Sequence, residues 1–283
     1  VPHRQYVFTI PKILRVYFRN DRRLLGKLSQ CAYECLKVFF HATLGKKGGL
    51  PGVIMAIQTF GDLVNFHPHL HAIASDGLFV ANGWFYVLPT IDLKKLEGLF
   101  RHQVLKMLLR EGKIDDALIK KLSSWPHSGF SVHNQVRIGG QDQAGRRRLA
   151  EYILRSPFSQ EKLHYQSKTQ TVIYRSKMHP VLKRNFEIFP ALDWLAALTA
   201  HIPNQGEHVV RDSGWYSNIS RGKRKQAQEQ GQAPGAEGIV EVPPPPCSRA
   251  LKQRWAQCIK KVYEADPLLC PRCAGVYADY RLH

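Results

Sequence analysis

The architecture turns on one stretch. It runs Val53-Ile54-Met55-Ala56-Ile57-Gln58-Thr59-Phe60, then Gly61-Asp62, then Asn65-Phe66-His67-Pro68-His69-Leu70-His71-Ala72-Ile73-Ala74. The first run is rich in β-branched and aromatic residues, Gly61-Asp62 supplies a turn, and residues 67–74 can pair back as the next strand. Asp76-Gly77 turns the chain into Leu78-Phe79-Val80, and Gly83 leads into Trp84-Phe85-Tyr86-Val87. The expectation is a meander of antiparallel strands joined by Gly-containing turns.

Upstream, residues 5–10 read as a strand stopped by Pro11. Asn20 or Asp21 then caps a helix. Its stripe of Leu24, Leu25, Leu28, Cys31, Ala32, Cys35, Leu36, Phe39 and Phe40 recurs at three and four residues and faces a core. Cys31 and Cys35 belong to that core. Downstream, Asp92 caps a second long helix, residues 130–138 look like a strand, and residues 144–154 read as a helix ending before Pro157. Residues 171–174 and 208–211 are strand-like. Residues 221–246 collapse into Lys, Arg, Gln, Gly, Glu and Pro and read as a disordered or extended linker, followed by a short helix over 251–263. Strands and helices that mix without βαβ spacing point to an α+β fold, a central antiparallel sheet flanked by helices with a C-terminal extension.

Composition narrows the partners. The 283 residues carry 41 Lys and Arg against 22 Asp and Glu, a formal charge of +19. Such an excess favours a polyanion, nucleic acid first and an acidic membrane surface second. No apolar run approaches the ~20 residues of a membrane span, no leader pattern opens the sequence, and six cysteines are too sparse for a secreted disulfide scaffold. A cytoplasmic protein is expected.

Two features carry chemistry. His69 and His71 lie two apart on a strand and share a face, so their imidazoles can hold one divalent metal with positions left for a phosphate. The competing reading is a His-rich turn with satisfied hydrogen bonds. Tyr152 sits in a basic helix beside Arg147, with Arg148 four residues before it and Arg155 three after. A phenol among guanidiniums can serve as a covalent nucleophile on a phosphate; otherwise it is an ordinary tyrosine of a basic helix. Arg221, Lys223 and Arg224 beside Trp215 and Tyr216 suggest a single-stranded DNA track, where aromatics stack bases and cations follow phosphates. Cys270 and Cys273 form a CxxC pair, two of the four ligands a structural zinc needs.

These pieces resemble the HUH-type single-strand endonucleases: a first strand motif at Val7-Phe8-Thr9-Ile10-Pro11, then His69-Leu70-His71, then Tyr152 on a later helix. Within that class the chain is similar to the rolling-circle transposases of bacterial insertion sequences, the group typified by insertion sequence ninety-one. The supporting stretches are Gln58-Thr59-Phe60-Gly61-Asp62, His67-Pro68-His69-Leu70-His71, Ala150-Glu151-Tyr152-Ile153-Leu154-Arg155-Ser156-Pro157, Gly214-Trp215-Tyr216-Ser217-Asn218 and Cys270-Pro271-Arg272-Cys273. Some relatives have two tyrosines four apart; here that position is Arg148, so the resemblance is to a single-tyrosine branch. The N-terminal zinc-binding domain of relatives has no counterpart here, and the C-terminal end reads as truncated.

The resemblance implies metal-dependent nicking and strand transfer of single-stranded DNA through a 5′-phosphotyrosine on Tyr152, with Mg or Mn on His69, His71 and a third ligand, Gln58 in preference to Asp62. It implies single-stranded DNA at insertion-sequence ends as partner, and either a homodimer or sequential reuse of Tyr152 for two transfers. It places the protein at the bacterial nucleoid. The expected layout is a nicking domain over 1–178, an extension packing on it over 179–220, the basic Pro-rich linker over 221–246, and a helix with the CxxC tail over 247–283. Two other readings stand beside it: a non-catalytic DNA-binding remnant of a transposase, and a plasmid-type replication initiator or relaxase.

Overall fold

The computed structural model describes residues 1–46, 48–81, 83–89, 92–156, 158–178, 183–230, 238–243 and 249–263. Cys270 and Cys273, and with them the zinc expectation, lie outside the described residues.

Strand β1 (His3–Thr9) leads into a short helix α1 (Arg15–Asn20) and the long helix α2 (Arg23–Leu44). The Asp21 carboxylate accepts the Arg23 backbone N–H at the start of α2, and Gly45, in the left-handed region at φ 67°, closes it. Strands β2 (Gly52–Phe60) and β3 (Phe66–Ser75) form the hairpin expected from the sequence. Strands β4 (Gly77–Phe79) and β5 (Trp84–Val87) follow, then α3 (Leu93–Arg110), capped by the Asp92 carboxylate, and α4 (Asp116–Ser123), capped by Asp115. Short strands β6 (Ser131–His133) and β7 (Arg137–Ile138) precede α5 (Gln143–Ile153). Then come β8 (Leu163–Gln166), β9 (Thr171–Arg175), β10 (Phe186–Pro190), α6 (Ala191–Thr199), β11 (Val210–Gly214), α7 (Asn218–Glu229), β12 (Gly238–Glu241) and α8 (Arg249–Tyr263).

The fold is α+β. Its main sheet has the order β11-β2-β3-β1-β6, with β7 also on β1, and every pairing is antiparallel. Helices α2 and α3 cover one face. The stripe of α2 meets Tyr6, Phe8, Met55, Leu70 and Ala72 from the strands, and the Phe100 ring from α3 packs at a tilt against Phe8 with centroids 4.9 Å apart. Each such aliphatic or aromatic side chain taken fully out of water contributes about 1.5–3 kcal/mol. Helix α8 joins this layer through Trp255, 5.5 Å from Phe39. Cys31, Cys35 and Cys258 are buried in it without disulfide bonds, and burial pushes the Cys31 thiol up to about 12. On the opposite face α5 packs through a small cluster of Ala56, Ile138, Leu149 and Ile153.

Three expectations need correction. The meander does not continue as one sheet: β4 and β5 leave the main sheet and pair with β12, which runs parallel to β5. The switch falls at Gly77, where a Cβ would collide with the Tyr86 carbonyl, so only glycine lets the two strands approach. Residues 130–138 are two strands. The fully buried Asp76 carboxylate holds both Arg4 (2.8 Å) and Arg137 (2.6 Å), and Gln5 N–H donates to the Val136 carbonyl, so the segment kinks to follow β1. Residues 221–246 include helix α7 and strand β12. The Ser217 hydroxyl caps α7, a Lys225–Glu229 pair spans one turn, and no residue of α7 is buried, so it is a helix without an apolar stripe.

Removing Asp76 leaves two guanidiniums without their shared acceptor. Asp76→Ala should lower stability to urea by about 3 kcal/mol, read from the unfolding midpoint, and should release β7 to faster amide exchange than β3.

Candidate active site

The open face of the main sheet gathers the residues singled out from the sequence. In the β2–β3 register Gln58 lies opposite His69 and Ala56 opposite His71; in the β1–β3 register Thr9 lies opposite His69 and Val7 opposite His71. His67, His69 and His71 alternate onto this same face. Their rings step along it, 5.2 Å from His67 to His69 and 5.0 Å from His69 to His71. His67 was missed as a site residue, although the two-residue period that pairs His69 with His71 reaches it as well.

Each ring has a defined partner. His69 Nδ1–H donates to the His67 carbonyl at 2.8 Å, which leaves the Nε2 lone pair of His69 free. His71 Nδ1 meets the buried Gln5 amide at 3.0 Å. That amide can donate from its NH2 or, turned by a half-rotation, accept Nδ1–H and free His71 Nε2. Gln5 carried no signal in the sequence, because its role depends on the neighbouring strand. His67 Nε2 is buried without a partner. Burial, the Arg15 charge and His69 hold the His67 imidazole down to about 4; burial, His69 and Arg155 hold His71 down to about 4. His69 is lowered as well, chiefly by burial. All three rings are therefore neutral near pH 7 and able to act as ligands or acceptors.

Helix α5 brings Tyr152 over this face. Leu149 and Ile153 anchor it, and the buried Gln58 amide donates to the Ile153 carbonyl at 2.5 Å, while Gln58 Oε1 is buried with no partner. Tyr152 is half exposed. Its ring meets His71 edge-on with centroids 6.0 Å apart, and the Arg155 guanidinium lies 4.6 Å from its centroid. Arg147 pairs with Glu151 at the surface, and Arg148 is exposed. Among the described residues no three His, Cys, Asp or Glu side chains converge on a metal position. A cation bound to His69 and His71 would draw its next protein ligand from elsewhere, and Gln58 Oε1, an orphaned acceptor across from His69, is chemically suited. The side chain of Asp62 lies outside the described ones.

The turn that feeds the His strand is strained. Leu63 and Val64 both sit in the left-handed region, at φ 54° and 61°, at a cost of order 1–3 kcal/mol each. His201, just beyond α6, holds it: its Nε2–H donates to the Val64 carbonyl at 3.0 Å, its Nδ1 accepts from the Thr59 hydroxyl at 3.1 Å, and its ring stacks on Phe66. Gly61 lines the site, where a Cβ would press on Asn65 and the His67 side chain.

The other expected DNA contacts lie elsewhere. Trp215 stacks on Phe79 (4.7 Å between centroids) and under the Arg224 guanidinium (4.1 Å). The Tyr216 hydroxyl bonds His3 Nε2 at 2.7 Å, and burial pushes its phenol up to about 12. Arg221 engages Asp212 and Asn218. These side chains knit α7 to the edge of the sheet, and Lys223 stands exposed beside them.

Neutral imidazoles thus lie beside a half-exposed phenol, His71 edge-on to it and the Arg155 guanidinium over its ring. The family follows from comparison. Residues 52–224 match the family described as "Putative transposase", more than half of the chain, and the chain belongs to this transposase family. The transposase for insertion sequence element IS801 of Pseudomonas savastanoi pv. phaseolicola is 24% identical over 229 residues, 77% of this chain and 55% of that protein. The chain thus spans about half the length of the curated relative it matches. No solved structure matches significantly. No helix among the described residues is long and apolar enough to cross a membrane.

Two outcomes follow from this geometry. The unfolded chain binds protons on His67 and His71 near the ordinary 6.5, the folded chain only near 4. Stability of the metal-free protein is therefore full above pH 6.5 and falls as pH drops from there through about 4; urea midpoints across that window in chelator read it, and His67→Gln should flatten the slope. His201→Phe keeps the ring stack but orphans the Val64 carbonyl and Thr59 hydroxyl. It should cost about 1–3 kcal/mol in thermal unfolding, with His201→Gln recovering part.

Proposed function

We propose that the chain is a DNA-nicking and strand-transfer enzyme, a transposase of the HUH type that works through a phosphotyrosine. The carrying observation is the approach of the Tyr152 ring to His71 on the face shared by His69, His71 and Gln58. Tyr152 is the half-exposed phenol at this centre. Tyr216 and Tyr174 are poorer nucleophiles, because burial raises both phenols.

In this reading a single DNA strand crosses the open face with its scissile phosphate between Tyr152 and the imidazoles. The Tyr152 oxygen attacks phosphorus, the bond to the 3′ oxygen breaks, and the strand is left with a free 3′-hydroxyl and a 5′-phosphate on Tyr152. Arg155, stacked on the attacking ring, stands where the phosphate charge arrives. His69 offers Nε2 because its Nδ1–H is fixed by the His67 carbonyl, and Gln5 sets the His71 ring. A Mg or Mn ion on His69, His71 and Gln58 Oε1 would withdraw charge from the phosphate oxygen. Gln58 would then join that ion to the helix carrying Tyr152, since its NH2 already bonds the Ile153 carbonyl. Energy retained in the phosphotyrosine lets a second 3′-hydroxyl reverse the step, so no nucleotide cofactor enters. Residues 1–178 form the nicking unit and 179–220 its extension, with the single-stranded ends of an insertion sequence as substrate in a bacterial cytoplasm and a dimer supplying a second Tyr152.

The test is incubation with labelled single-stranded oligonucleotides carrying the element's ends, with Mg or Mn, followed by a denaturing gel. The wild-type protein should form a covalent adduct. Tyr152→Phe should abolish it with DNA affinity and folding intact, and His69→Ala or His71→Ala should abolish nicking while keeping most affinity, which phosphate contacts spread over the surface supply. Absence of any adduct would favour a non-catalytic DNA-binding protein, and a nucleotide trapped on Tyr216 or Tyr174 would overturn the assignment of Tyr152.

A further inference from the structure

We propose that the groove between the imidazole strand and the small sheet of β8, β9 and β10 holds the DNA backbone next to the scissile phosphate, with Lys162 and Lys177 as its phosphate ligands. This rests on the DNA-strand reading above and adds a second wall to that site. The groove encloses about 810 Å3 and opens directly on Tyr152 and Arg155. Phe60, His67 and His69 line it from the main sheet; Lys162, just before β8, and Ser176 and Lys177, just after β9, line it from the flanks of the small one. No carboxylate lines it among the described residues, and neither lysine has a carboxylate partner there. Both lysines are exposed, so their ammonium groups are hydrated charges ready to exchange water for phosphate oxygen.

The contrast with α7 sharpens the assignment. Arg221 and Arg224 are engaged by Asp212, Asn218 and Trp215, whereas Lys162 and Lys177 face an open channel that ends at the nucleophile. An apolar recess of about 260 Å3 shares Phe60, Arg155 and Phe158 with the groove. An unpaired base can turn from the backbone track into that recess, which a paired base cannot, so the ligand is single-stranded DNA. The wall is also held in place. Val64 from the strained turn packs with Val172, Tyr174 and Trp194 of the small sheet and α6, and His201 bonds the same turn.

The experiment measures affinity of the full chain for a labelled single-stranded oligodeoxynucleotide over a range of salt. Each phosphate neutralised on a single strand contributes about 0.7 to the slope of log K against log salt. Lys162→Ala/Lys177→Ala should weaken binding and reduce that slope by about 1.4. Lys120→Ala/Lys121→Ala on α4, with the same change in net charge, should alter the slope by less than half as much, and Lys162→Arg/Lys177→Arg should restore it. Equal affinity and slope for the groove and α4 variants would overturn the proposal, and so would loss of slope that arginine does not restore. The readout needs binding alone. A wild-type chain that binds but forms no adduct would defeat the nicking reading and leave the groove standing, whereas normal adduct formation with an unchanged slope in the groove variant would defeat only the groove.

Discussion

The register between β2 and β3 is the constraint on which the rest of the molecule depends. It sets Leu70 and Ala72 into the core under α2 while His69 and His71 face the other way. Because side chains alternate with a period of two, a slip of one residue would drive imidazoles into the core and Leu70 into water. The penalty falls on both sides at once, since each buried imidazole would need a partner and each exposed aliphatic would lose its burial energy. The core thus enforces the site: packing of α2 and α3 against one face leaves the other no freedom in what it presents.

The second constraint is how lightly α5 is attached. Its apolar contact with the sheet is a cluster of four buried residues, against the large core on the opposite face. The Gln58 bond to the Ile153 carbonyl therefore carries unusual weight in fixing the height of Tyr152 above His71. A buried amide whose other end has no partner is expensive. That cost is consistent with a position shaped by what it must meet rather than by stability alone.

Much of this was legible in the sequence where the signal is local. The three-four period of α2, the cap at Asp92, the β2–β3 hairpin and the basic helix around Tyr152 were all readable, because each depends on residues within one element. What escaped depends on distant partners. Asp76 kinks residues 130–138 by holding Arg4 and Arg137 together. Helix α7 has no apolar stripe to betray it, and β12 is a strand only because β5 lies beside it. His201, Lys162 and Lys177 look like ordinary surface residues until α6 and the small sheet bring them to the turn and the groove. Trp215 and Tyr216, which read as a base-stacking pair, also pack against Phe79, Arg224 and His3, contacts that no local pattern announces.

The edge strand β11 has a consequence for how the chain comes into being. It pairs with β2 across some 150 residues, and β12 reaches β5 across a similar span. Contacts so far apart in sequence make folding slow, since a long loop must close before any of them is rewarded. During synthesis at roughly 5–20 residues per second, the β2 edge stands bare for many seconds after β3 has formed, awaiting β11. Nascent chains on one messenger would meet with open strand edges. Newly made protein is thus most exposed to aggregation before β11 and β12 have left the ribosome, which would hold down the yield of folded molecules in a cell that makes it quickly.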